Sequence, residues 1–126
     1  VPDTIQGVLL SRIDRLTEEL KVLLQKASVI GRVFFYRVLK VLAAEGAAID
    51  SDLTSLQDSD LLHEKARLPE IEYAFKHALT QEVAYHTLLG PQRRALHHNV
   101  GEAHEALFQQ RLEEVAELLY DHYFSP

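Results

Sequence analysis

The chain has 126 residues, 47% of them apolar, with 13 Lys and Arg against 19 Asp and Glu and a formal charge of −6. That length suits one domain, or one small domain with an appended helical pair, and the acidic balance disfavours a protein whose task is to coat a polyanion. Cysteine is absent, which excludes a disulfide framework and thiolate chemistry. Ile5, Val8, Leu9, Ile13 and Leu16 recur at helical spacing and predict a first helix, with Thr4 placed to cap it. A second helix is expected after Thr17. Glu18 and Glu19 lie in its first turn, Leu20, Leu23, Leu24, Ala27 and Ile30 on its apolar stripe, and Gly31 at its stop. Tyr36, Val38, Leu39 and Leu42 predict a short third helix ending near Gly46. Asp50 or Ser51 would cap a fourth that carries Leu53, Leu56 and Leu61.

The period then changes. Residues 62–67 and 71–75 alternate on either side of Leu68-Pro69-Glu70, which predicts a two-stranded hairpin. Helical spacing returns with Leu79, Val83, Tyr85 and Leu88, and Gly90-Pro91 is expected to break the chain. Leu96, Val100, Ala103 and Leu107, then Leu112, Val115, Ala116 and Leu119, predict two more helices with a break near Gln109-Gln110, packed antiparallel. The expected fold is mainly α. Residues 17–90 would form a winged helix-turn-helix whose small hairpin, 62–75, is the wing. Residues 1–16 would be a linker helix leading in, and 91–126 a helical hairpin leading out.

No apolar run approaches the roughly 20 residues that span a bilayer, and Val1-Pro2-Asp3-Thr4 does not resemble a signal peptide. A cytoplasmic setting, away from membranes, is expected. Methionine is absent even at position 1, so the chain reads as a segment of a longer protein.

Catalytic chemistry finds little to work with. A phosphate loop needs closely spaced glycines before Lys-Ser or Lys-Thr, yet Gly7, Gly31, Gly46, Gly90 and Gly101 are far apart. Among His63, His77, His86, His97, His98, His104 and His122 no pair stands three or four residues apart, as two ligands on one helix would. Ser28, Ser51, Ser55 and Ser59 lie in helical or capping contexts rather than at a strained nucleophile turn. DNA readout by the fourth helix is disfavoured as well. It carries Asp50, Asp52, Asp58 and Asp60, and no Lys or Arg occurs from Val41 to Leu62. His63, Lys65 and Arg67 on the wing are the only support for it. No enzyme activity, metal or cofactor is therefore expected of this chain by itself.

The segment Phe75-Lys76-His77-Ala78-Leu79-Thr80-Gln81-Glu82-Val83-Ala84-Tyr85 resembles the winged-helix region of STAND ATPases, multidomain signal-transduction NTPases. The likeness is to bacterial forms attached to class III adenylate/guanylate cyclases or to LuxR-type regulators. Val1 to Gln6 and Arg12 to Leu16 look like the helix that links that family's ATPase module to its winged helix. Arg93-Arg94-Ala95-Leu96-His97 looks like the entry into its tetratricopeptide-like (TPR-like) array. The resemblance implies an ATPase core upstream that holds ATP or ADP with magnesium, helical repeats downstream, and an effector domain. It also implies a role for His77. The Phe75, His77, Leu79 pattern resembles a Met-His-Asp-Leu element whose histidine touches the β-phosphate of ADP in the closed state; Ala78 stands where that element has Asp. The implied function is a non-catalytic, nucleotide-sensing regulatory module. The alternatives are a DNA-binding winged-helix transcriptional regulator and a helical protein-interaction adaptor.

Overall fold

The computed structural model describes residues 4–124, and the side chains of 4–121. Two helices open the chain, and both use threonine as their first hydrogen-bond acceptor. Thr4 Oγ1 accepts from the Gly7 N–H at 3.0 Å ahead of α1 (Ile5–Asp14). Thr17 Oγ1 accepts from the Leu20 N–H at 3.4 Å ahead of α2 (Glu18–Ile30). Each satisfies an amide that the helix cannot bond internally. Gly31 ends α2 with φ of 149°, a conformation that a side chain would strain.

Then come β1 (Val33–Phe35), α3 (Tyr36–Leu42), α4 (Ile49–Asp58), β2 (Leu62–Ala66), β3 (Glu72–Phe75), α5 (Ala78–His86) and α6 (Gly90–Phe124). The strands form one antiparallel sheet in the order β1-β3-β2. Phe34 stands opposite Tyr73, and Glu64 stands opposite Tyr73 on the other edge. The fold is mainly helical with a small three-stranded sheet.

The main core lies where the sheet meets the helices. Ile13, Leu24, Leu39, Leu53, Leu56 and Phe75 are all fully enclosed there. The Phe34 ring stacks beside Tyr73 and meets Phe75 edge-on, each at 6.2 Å between centroids. A second cluster, Val29, Leu88 and Val100, fastens the start of α6 to α2.

Asp60, just beyond the Ser59 cap of helix α4, turns to φ of 62°. Leu61 N–H reaches Leu56 O at 3.1 Å and Asp60 N–H reaches Gln57 O at 2.9 Å. This is the paired-bond terminus in which the residue after the cap turns left-handed, closed here by the buried Leu56 and Leu61. Asp tolerates that conformation better than most side chains.

Four expectations need correction. The expected hairpin forms from β2 and β3, but the sheet does not stop at two strands, because Val33–Phe35 adds a third against β3. Its alternation, with Phe34 inside and Val33 and Phe35 outside, spans only three residues between two strongly helical segments. The helical hairpin over 91–126 is instead one helix, α6. Glutamines 109 and 110 are good helix formers, and no Gly or Pro interrupts the chain between them and Phe124. Gly90-Pro91 begins α6 rather than separating helices, because proline is tolerated in a first turn whose amides have no partner in any case. The start of α4 also differs. Ala48 holds the cap position without a side-chain bond, while Asp50 and Asp52 sit in the first turn.

Leu53 is wholly enclosed among these elements, whereas Leu118 on α6 is 68% exposed. Leu53→Ala should lower the unfolding free energy by about 2–5 kcal/mol. Leu118→Ala should leave it nearly unchanged. Urea denaturation of the two variants followed by circular dichroism checks both outcomes.

Candidate functional site

The singled-out histidine sits where β3 gives way to α5. Phe75 is pinned in the core, and its N–H bonds to Arg32 O at 2.9 Å. Lys76 N–H bonds to Leu61 O at 3.0 Å. His77 follows at the cap position of α5, extended at φ of −136° and ψ of 150°. Its carbonyl accepts from the Thr80 N–H at 3.1 Å. Its imidazole is exposed and makes no hydrogen bond or ion pair among the described residues. The N–H groups of Ala78 and Leu79 have no backbone partner there either. An exposed imidazole and two open amides at a helix start can together meet an anion. Lys76 is the nearest cation in sequence, and its ammonium lies 3.4 Å from Asp60.

A second feature lies across the sheet, where α4 faces the strands. Tyr36, Asp50, Thr54, Gln57, Glu64 and Arg67 line a polar cleft of about 510 Å³, with Ile71 and Tyr73. The Tyr36 hydroxyl donates to Asp50 Oδ1 at 2.6 Å. The bond to that carboxylate, with burial and the carboxylate's charge, pushes the Tyr36 phenol up to about 12. Burial also raises the phenol of Tyr73, helped by the charge of Glu64.

Cations around this face are already engaged. Arg67 Nε lies 2.7 Å from Glu64, and Arg37 Nε lies 3.2 Å from Glu70. Lys65 and His63 stay exposed on the outer face of β2. The acidic α4 supplies no positive charge, so a phosphate backbone would meet carboxylates there. No family model, curated protein or solved structure matches this chain.

The other histidines scatter. His63 is on β2, His86 ends α5, and His97, His98 and His104 lie along α6; the side chain of His122 lies outside the described residues. Among the described residues no three of His, Cys, Asp or Glu gather as metal ligands would.

Two groupings escaped the sequence. The Tyr85 hydroxyl and His97 Nε2 share a hydrogen bond of 2.8 Å, with the Arg93 guanidinium 5.4 Å from the Tyr85 ring centroid. Tyr36 and Asp50 are 14 residues apart, and only the fold brings them together. The His98–Glu102 pair at 2.5 Å was detectable, since a spacing of four places both on one helix face.

The Tyr36 shift sets a pH window. A raised phenol stabilises the folded state below its unfolded value of 10.0, and that contribution is lost as pH rises to about 12. Asp50→Asn should bring the Tyr36 titration back toward 10 and remove that part of the alkaline loss. Ring carbon chemical shifts followed against pH read the first effect, and urea midpoints above pH 10 read the second.

Proposed function

We propose that residues 17–90 form a winged helix-turn-helix that works as the nucleotide-sensing, non-catalytic module of a signal-transduction ATPase. An ATPase core elsewhere in the same protein would hold ADP or ATP with magnesium. His77 would touch the β-phosphate of ADP in the closed state and release it in the open one, and the change would pass to an effector domain such as a cyclase. In this reading residues 91–126 lead toward TPR-like repeats, and the module works in the cytoplasm.

The observation that carries the proposal is the free imidazole of His77 at the start of α5, beside open amides. With no partner among the described residues, both ring nitrogens are open to a group that approaches from outside. The order of elements supports the same reading. A helix, a strand, two helices and two strands, with β3 central in the sheet, is an order compatible with a winged helix. The strand β3 delivers its last residue straight into the junction that carries His77.

A transcriptional winged helix is the second reading, and the acidity of α4 weighs against it. DNA binding should be weak, indifferent to sequence and abolished by moderate salt. Nanomolar affinity for one sequence in a mobility shift near physiological salt would favour that reading instead.

The chain alone should bind neither ADP nor ATP measurably in a calorimetric titration, because one imidazole and a helix start supply only part of a phosphate site. In the protein that joins this module to an ATPase core, His77→Ala should speed ADP release and raise basal output. A charged hydrogen bond made in one state only is worth about 1.5–3 kcal/mol, on the order of tenfold to a hundredfold in the balance of states. A folded variant with wild-type ADP release and wild-type output would overturn the proposal.

A further inference from the structure

The polar cleft between α4 and the sheet contains a hydroxyl that the fold leaves without a partner. Tyr73 on β3 is 8% exposed, and its ring packs beside Phe34 and Tyr36. Its hydroxyl makes no hydrogen bond among the described residues, yet the residue lines the cleft. That hydroxyl feels the charges of Glu64, Arg67 and Asp50, which places it among the polar groups of the cleft. Buried hydroxyls ordinarily hold a partner. One water takes up about 30 Å³ of liquid volume, so a cleft of about 510 Å³ has room for much more than the single solvent molecule this hydroxyl needs.

Charge decides what kind of molecule fits. Glu64 and Arg67 cancel each other, and Glu64 Oε1 is closed to solvent. Asp50 is different. Its Oδ1 receives the Tyr36 hydroxyl, but no Lys, Arg or His among the described residues pairs with it. It stays exposed at the rim. Thr54 Oγ1 donates to Asp50 O at 3.0 Å, which leaves that hydroxyl as an acceptor. The free groups are thus mostly acceptors around one uncompensated carboxylate, which would repel an anion. A bare metal ion fits no better. Hard cations gather about six or more oxygens, and among the described residues no three of His, Cys, Asp or Glu come together.

Aromatic rings supply the rest. The Tyr36 and Tyr73 rings stand 6.4 Å apart between centroids, tilted by 44°, and both residues line the cleft with Ile71. The electron-rich face of such a ring attracts an ammonium within about 6 Å. Tyr36 already draws one, since Lys40 Nζ lies 6.0 Å from its centroid, outside the cleft lining. A carboxylate beside two phenol rings and an isoleucine matches a molecule with a charged nitrogen at one end and hydrocarbon at the other.

We propose that this cleft binds a small primary amine in its ammonium form. The ammonium sits against Asp50 and donates one N–H to the Tyr73 hydroxyl. The Tyr36 hydroxyl keeps its bond to Asp50 Oδ1, which leaves Oδ2 for the ligand. The hydrocarbon part lies along the two rings and Ile71. A free amine is the source that the shape favours, because the cleft is a concavity within the range of about 300–1,000 Å³ typical of small-molecule sites. This proposal does not depend on any role of His77.

Benzylammonium chloride added to the chain at neutral pH should shift the ring signals of Tyr36 and Tyr73 saturably, with dissociation on the order of 0.1–1 mM. Benzyl alcohol, a similar body without the charge, and benzoate should each bind about tenfold more weakly or worse. Asp50→Asn should weaken the amine about tenfold or more. Tyr73→Phe should weaken it about tenfold yet leave the urea midpoint unchanged or raised, because the deleted hydroxyl bonds nothing in the free chain. Asp58→Asn removes an acid on the same helix outside the cleft and should change the affinity less than about twofold. Shifts that never saturate, equal affinity for the alcohol and the amine, or wild-type binding by the Tyr73→Phe variant would each overturn the proposal. So would a short lysine peptide that binds more tightly than the free amine, which would assign the cleft to a protein partner.

Discussion

Strand β3 is the constraint on which the rest of the chain depends. It is four residues long, yet it bonds to β1 on one edge and β2 on the other. Its Tyr73 and Phe75 carry the sheet into the core, against Phe34 and the leucines of α4. A strand held on both edges and one face has no freedom to slip, since a shift of one residue would turn Tyr73 and Phe75 to the solvent side. The position of His77 is inherited from that fixity. Phe75 is anchored, Lys76 is bonded through its backbone to the end of α4, and the next residue must start a helix. An exposed side chain therefore stands on a rigid base, which suits a contact made in one state and broken in another.

The sheet shows where sequence patterns stop being informative. Helices α1 and α2 could be read directly, because Thr4 and Thr17 cap them and their leucines repeat at the helical period. The alternating segments of β2 and β3 were equally plain. Strand β1 was not, because three residues hold too little alternation to distinguish a strand from a connection, and its partner lies some 40 positions away. The continuity of α6 was misread for the opposite reason. Two apolar stripes on different faces look like two helices when each is read alone. One unbroken helix whose apolar stripe moves to another face halfway along produces the same pattern.

The candidate site divides in a similar way. His77 was singled out by resemblance, and its place between strand and helix was legible; the freedom of its imidazole is a property of the fold around it. The Tyr36–Asp50 bond and the Tyr85–His97 bond arise from packing between elements, and no local spacing announces them. Acidity along α4 was visible from the start. What the fold adds is that Arg67 and Arg37, the cations able to offset it, are each tied to a neighbouring glutamate.

The single-piece character of α6 has a mechanical side. Thirty-five residues make a rod of about 50 Å, gripped over its first half and free over its second. Such a rod is a lever with a short arm in the body and a long arm outside. A tilt of about 10° where Val100 meets α2 would carry the far end through roughly 6 Å, as the rise per residue fixes the arm. Motions too small to disturb the packing around Leu88 and Val29 would thus arrive at the tip as displacements comparable to the width of a side chain.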